Sequence, residues 1–220
     1  KMQIKVLRNI LEANQRISDQ LRAMFKENKI LVINLMSSPG AGKTTLLEKT
    51  LVQLKEEFNM AVIEGDIQTS NDAMRIAATG AQVLQINTQG GCHLDASMIQ
   101  EAVSQMELDS ADILFVENVG NLVCPAEFSV GEDHKVTILS VVEGDDKPEK
   151  YPLIFAESSV MLLNKTDLLP YVDFDVDKAS GFARSLNKDI TIFPVSARTD
   201  DGLDDWHEWL RREVDRKKQD

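Results

Sequence analysis

Ser37 to Thr45 reads SSPGAGKTT, with two glycines, a lysine and a threonine set between an apolar run and a helical pattern. That order suits phosphate. Glycines at 40 and 42 let backbone N–H groups curl around phosphate oxygens, and the N-terminus of the following helix adds its positive end. In such a loop Lys43 reaches the β- and γ-phosphates, and Thr44 offers its hydroxyl to Mg²⁺. Ser38, Pro39, Ala41 and Thr45 complete the cradle. The stretch fits G-x-x-x-x-G-K-[ST] except that Ser37 stands where the first glycine belongs. A plain Gly-rich strand-to-helix turn accounts for the glycines, but not for a Lys-Thr pair opening the helix.

The base must be read elsewhere. NKTD (Asn164 to Asp167) and SAR (Ser196 to Arg198) each end a predicted strand. The Asp167 carboxylate matches two donors on guanine, N1–H and the exocyclic amine. Adenine has no such pair on that edge and would leave a buried carboxylate poorly satisfied. Asn164 is expected to hold the loop and contact N7, with the Lys165 stem along the ring and Ser196 and Ala197 closing the site. GTP and GDP are the expected ligands. EGDIQTSND (Glu64 to Asp72) and ENVGNLVCP (Glu117 to Pro125) end the second and fourth predicted strands. Ligands of a parallel sheet sit beyond the carboxyl ends of its strands, which brings Asp66 and Glu117 near Thr44. Both are candidate ligands of Mg²⁺ or of the water around it. Asp72 serves equally well as the cap of a following helix. Lys43, Asp66 and Glu117 are the candidate catalytic residues. No Gln follows Gly120 and no arginine finger is evident, so the expected turnover is slow.

Cys92 and His93 follow two glycines in NTQGGCHLDAS, and Cys124, the second of the two cysteines, lies four residues beyond Gly120. Both cysteines fall on loops tied to the nucleotide segments. Core filler is the default for a lone cysteine, yet here it must hold twice, with His93 idle as well. A Cys–His nucleophile is weaker, because adjacent side chains rarely meet productively and nothing else suggests acyl or thiol chemistry. Two thiolates and an imidazole suit a borderline-soft ion such as Ni²⁺ or Zn²⁺. Three ligands fall short of a closed tetrahedron, and a two-fold dimer facing these loops together would complete or double the site. His134 and His207 lie outside the motif and read as surface residues.

These groups need a scaffold. Short apolar runs at 30–36, 60–65, 81–86, 112–117, 135–142, 159–164 and 190–195 alternate with helical patterns at 44–57, 98–106 and 203–217. Continuous apolar strands between helices point to an α/β fold with a mostly parallel sheet covered on both faces. Residues 1–28 form a separate N-terminal helical pattern, with Leu7, Ile10, Leu11, Ile17, Leu21, Met24 and Phe25 recurring at three- and four-residue steps. It is expected to pack on one P-loop domain spanning 29–220. The net charge is -12, with 24 basic against 36 acidic side chains. Nucleic-acid and membrane-surface partners, which call for a basic patch, are therefore not expected. Two cysteines make no disulfide framework, no apolar run reaches ~18 residues and no signal peptide opens the chain, so the expected setting is the cytoplasm.

SSPGAGKTT, VIEGDIQT, CHLDASM, ENVGNLVCPA, EGDDKPEKYP and NKTD together resemble the HypB family of hydrogenase maturation GTPases, in the SIMIBI class of P-loop GTPases. The resemblance runs from about Ile30 onward and, more loosely, into the N-terminal helix. It implies a SIMIBI-class G domain and a metal site of Cys92, His93 and Cys124 at a dimer interface. It also implies GTP-dependent homodimerisation and cytosolic delivery of nickel to the hydrogenase large subunit, with the metallochaperone HypA as partner. The sister urease-accessory GTPases carry Cys-Pro-His instead, whereas here Cys92 and His93 are adjacent and Cys124 is separate. A GTP-binding signalling switch with a structural zinc is the alternative from another class.

Overall fold

Strand β1 (Leu31–Ser37) is buried along its whole length, as its unbroken apolar run requires of a central strand. It lies in a seven-stranded, all-parallel sheet with β2 (Met60–Asp66), β3 (Gln82–Asn87), β4 (Ile113–Glu117), β5 (His134–Ser140), β6 (Val160–Asn164) and β7 (Thr191–Pro194). The order is β3-β2-β4-β1-β5-β6-β7, with β1 between β4 and β5. The computed structural model describes residues 2–66 and 70–219, with side chains from Ile10 onward. Leu7 and the Ile67–Thr69 part of EGDIQTSND therefore lie outside the described residues and side chains.

Alternation along the strands sends successive side chains to two cores. Leu31, Ile33, Leu35, Val62, Ile113 and Phe115 face α2 (Lys43–Leu54), α3 (Asn71–Ala77) and α9 (Leu203–Gln219). The intervening Val32, Ile63, Leu114 and Val116 face α1 (Met2–Glu27) and α4 (Ala96–Val103). Met36, Leu139, Met161 and Leu163 extend that second face against α7 (Pro152–Ala156) and α8 (Val176–Leu186). Two four-residue helices, α5 (Cys124–Glu127) and α6 (Lys147–Lys150), complete the α-helices described, and a 3-10 helix spans Thr166–Tyr171. Helix α1 lies on the domain through Leu21 and Phe25, and Asn14 pins it by donating to Ser129 O and accepting from Ala96 N.

All seven expected strands are present, each within two residues of its expected bounds. The five helices α3 and α5–α8 carry no usable periodicity, being short or, like α8, burying the small residues Ala179, Ser180 and Ala183. The histidines correct the reading. His207 is buried, because the inward face of α9 runs Leu203, Trp206, His207, Leu210, Val214. His134 is half-buried, with Ser159 Oγ 3.0 Å from Nδ1 and Glu213 Oε2 3.1 Å from Nε2. No described helix is long and apolar enough to cross a membrane.

Candidate functional site

The expected phosphate loop joins β1 to α2 at the carboxyl edge of the sheet. Gly40 and Gly42 take φ of 75° and 97°, where a side chain is strained, whereas Ser37 ends the strand in ordinary extended backbone. The loop therefore needs glycine at 40 and 42 but not at 37, and the Ser37 hydroxyl donates to Ser38 O. Residues 37–45 line a cleft of about 470 Å³ with Glu64, Asp66, Asp72, Arg75, Glu117, Gly120 and Lys165. On its floor Thr44 donates to Glu117 Oε1 at 2.6 Å, and Lys43 Nζ comes within 3.9 Å of the same oxygen. Burial raises the Glu117 pKa, against the lowering effect of Lys43 and Thr44. Glu117 Oε2, without a hydrogen-bond partner among the described residues, and the Thr44 hydroxyl beside it are hard oxygen donors that fit Mg²⁺. Asp66 ends β2 at the same cleft. Asp72 is no cap: Ser70 holds that position, and Asp72 sits in the first turn of α3, paired with Arg75 at 3.2 Å.

The loops expected to read the base are tied to the phosphate loop. Asn164 Nδ2 donates to Ala41 O and Asn164 Oδ1 accepts from Ala197 N, while Lys165 Nζ donates to Gly40 O. Lys165 itself takes φ of 63°. Ser196 Oγ donates to Asp167 Oδ1 at 2.7 Å and so fixes the plane of that carboxylate. A β-carbon on Gly42 would lie 2.5 Å from Asn164 Nδ2. Gly42→Ala is thus expected to lower stability by at least ~1 kcal/mol through its positive φ. It should also weaken nucleotide binding, because the clash displaces Asn164 from both loops. Thermal melting and nucleotide titration of that variant check both effects.

Cys92, His93 and Cys124 converge, with all their ligand atoms within 4.8 Å of one another. The two sulfurs are 2.9 Å apart, and Cys92 Sγ is 3.6 Å from His93 Nδ1. All three side chains are half-buried. His93 stacks on Phe128 with ring centroids 4.0 Å apart, and burial holds its pKa below the ordinary value, favouring the neutral, ligating imidazole. The hydrogen bond shared with Cys92, in which Cys124 keeps the proton, and then burial push the Cys124 pKa up to about 11. A thiol so hard to ionise is a poor free nucleophile, whereas two sulfurs and an imidazole in one cluster suit a borderline-soft cation. Cys124 is not on a bare loop, since it opens the short helix α5.

Three further residues carry the arrangement; Glu64 and Asn118 lie inside the quoted segments without a role there, and Arg75 lies outside them. Asn118 is fully buried; its Oδ1 accepts from Leu94 N at 3.0 Å and its Nδ2 donates to Asn34 Oδ1. Glu64 is buried beside Glu117, and burial first, then Glu117, Asp66 and Asp72, raise its pKa to about 8. Arg75, bound to Glu48 and to Thr45 Oγ1, brings a guanidinium to the cleft wall. Glu64 is detectable in principle, because it sits two residues before Asp66 on the same strand face. Arg75 and Asn118 are ordinary polar residues until the fold places them.

Residues 31–194 match the family described as CobW/HypB/UreG, nucleotide-binding domain. The hydrogenase maturation factor HypB of Escherichia coli K12 is 56% identical over 202 residues, covering 92% of this chain and 70% of its own. Among solved structures, HypB from Helicobacter pylori in complex with nickel superimposes with a TM-score of 0.88 at 36% identity, over 93% of this chain and 96% of that one. HypB from Archaeoglobus fulgidus gives 0.86 at 33% identity, over 92% and 99%. With the nucleotide cleft, the Cys/His cluster and these likenesses together, the chain belongs to the HypB family of hydrogenase maturation factors, SIMIBI-class P-loop GTPases.

Proposed function

We propose that this chain hydrolyses GTP to control a nickel-carrying Cys/His site during maturation of [NiFe]-hydrogenase, and that it works as a GTP-dependent homodimer. In this reading HypA is its metallochaperone partner, the hydrogenase large subunit the recipient and the cytoplasm the setting. One observation carries it. Glu117 and Asn118 are consecutive residues at the end of β4 that point to opposite faces of the sheet. Glu117 reaches Thr44 in the nucleotide cleft, and Asn118 holds Leu94, the neighbour of His93. Two close approaches reinforce the link. A β-carbon on Gly120 would stand 3.0 Å from Pro39 of the phosphate loop, and one on Gly65 would stand 2.8 Å from Leu94. Movement at the γ-phosphate position thus has a packed route to all three metal ligands, as nucleotide switches require.

In the chemistry proposed, Lys43 holds the β- and γ-phosphates, Thr44 and Glu117 orient the metal end of the cleft, and Asp66 faces the same region. Mg²⁺, when bound, neutralises charge on the transferring phosphoryl group. Lys43→Ala is expected to abolish single-turnover hydrolysis while the variant still unfolds cooperatively, which activity and melting curves together check. The deciding experiment is nickel and zinc affinity, with sedimentation, in GDP and in a non-hydrolysable GTP analogue. A coupling of ~5–150-fold between nucleotide state and metal affinity is expected, and linkage demands the same factor in reverse. Identical affinities and oligomeric states in both nucleotides would leave a GTP-binding protein with a merely structural metal.

A further inference from the structure

Glu64 on β2 and Glu117 on β4 are register partners in neighbouring strands, and each is 2% exposed. Both point to the face covered by α2, and both line the nucleotide cleft. Glu117 Oε1 takes the Thr44 hydroxyl, but Oε2 of Glu117 and Oε2 of Glu64 have no hydrogen-bond partner among the described residues. A buried polar atom left unpaired costs about 1–3 kcal/mol, more when charged. Two such carboxylates side by side also repel. The fold retains an arrangement that a glutamine at position 64 would relieve, and the cleft in front of it is where compensation has to come from.

Sheet order says how far Glu64 stands from the phosphate loop. That loop grows from β1, Glu117 lies on the adjacent strand β4, and Glu64 lies on the next strand out. One strand spacing of ~4.8 Å separates the two carboxylates' backbones, about the depth of a water layer beyond a directly bound oxygen. Mg²⁺ dehydrates reluctantly and keeps several waters when it binds a nucleotide site. We infer that Glu64 is a positioning residue for the nucleotide's Mg²⁺: its carboxylate accepts a hydrogen bond from a water of the ion's coordination shell. The ionised form, which burial and the neighbouring Glu117 disfavour in the free protein, is then favoured by the cation one water away. This inference rests on the GTP·Mg²⁺ reading proposed above.

The test is Mg²⁺ titration of the full chain bound to a fluorescent GDP, in wild type, Glu64→Gln and Thr44→Ala. Glu64→Gln is expected to weaken Mg²⁺ by ~10–100-fold, the usual loss when a partner of a metal-bound group is removed. Its affinity for the nucleotide in excess chelator should equal that of wild type. Near neutral pH the nucleotide-free variant should melt above wild type, because a buried amide needs neither a desolvated charge nor the proton that the buried carboxyl takes up on folding. A merely structural Glu64 predicts the reverse, a lower melting temperature with unchanged Mg²⁺ affinity, and that result overturns the inference. Glu64→Asp, which keeps the charge but withdraws it by one methylene, should lose Mg²⁺ affinity several-fold, and wild-type affinity there overturns it too. If Thr44→Ala weakens Mg²⁺ and Glu64→Gln does not, only this inference falls. If wild-type nucleotide binding ignores Mg²⁺, the underlying reading falls with it.

Discussion

Asp167→Asn is expected to exchange guanine for xanthine as the preferred base. The Ser196 hydroxyl donates to Asp167 Oδ1, and an asparagine oxygen at that place still accepts it. The new amide nitrogen is then presented toward the ligand, where guanine offers only donors and xanthine offers a carbonyl. A site built to bond a particular donor rejects a mismatched analogue by about 10⁴-fold, because the facing polar groups stay unpaired. GTP affinity should fall by that order while XTP affinity rises, and competition between the two nucleotides measures both. Thermal unfolding close to that of wild type separates a change of base from a loss of fold. Unchanged GTP affinity would remove Asp167 from the base site.

Replacing either sulfur has the second large effect. Cys92→Ala or Cys124→Ala should weaken nickel and zinc by on the order of 10²- to 10³-fold, because one strong bond among three protein ligands is lost. His93→Ala removes the remaining ligand and also the stack on Phe128, so a smaller stability loss should accompany its metal loss. The pH dependence follows from the thiols. The Cys124 pKa is raised to about 11, so near neutral pH a metal must displace its proton to bind. Lower pH favours the competing proton and higher pH the metal. Affinity should therefore climb by roughly tenfold per pH unit for each proton displaced. His93 adds little above pH 7, since burial already depresses its pKa and keeps the ring neutral there. Competition titrations against a chelator of known pH response provide the measurement, and a pH-independent affinity would exclude the thiols as ligands.

What the sequence discloses follows from what each residue must do locally. The strands were legible because both faces of a parallel sheet are covered, which leaves unbroken apolar runs such as LVINLM. The phosphate loop was legible because backbone curvature demands glycine at 40 and 42, a requirement visible one residue at a time. Cys92, His93 and Cys124 stood out by rarity, and the fold brings them together from the loop after β3 and the start of α5 after β4. The rest depends on neighbours. Glu64 matters because β2 pairs with β4 in register, a fact no local pattern carries. His207 looked exposed by type, yet it lies on the inward stripe of α9 and is buried. Helix α8 hid because its inward face is built from alanine and serine.

Asn164 bonds at once to Ala41 of the phosphate loop and to Ala197 of the base-side loop. The consequence concerns residence time. A nucleotide gripped by two independent loops would leave in stages, one end released while the other held. Here each loop is joined to the other through Asn164, so departure is expected as a single concerted event, which single-exponential nucleotide release would show and two-phase release would exclude. A partner that disturbs either loop thereby gains control of nucleotide exchange at both ends, without ever touching the ligand.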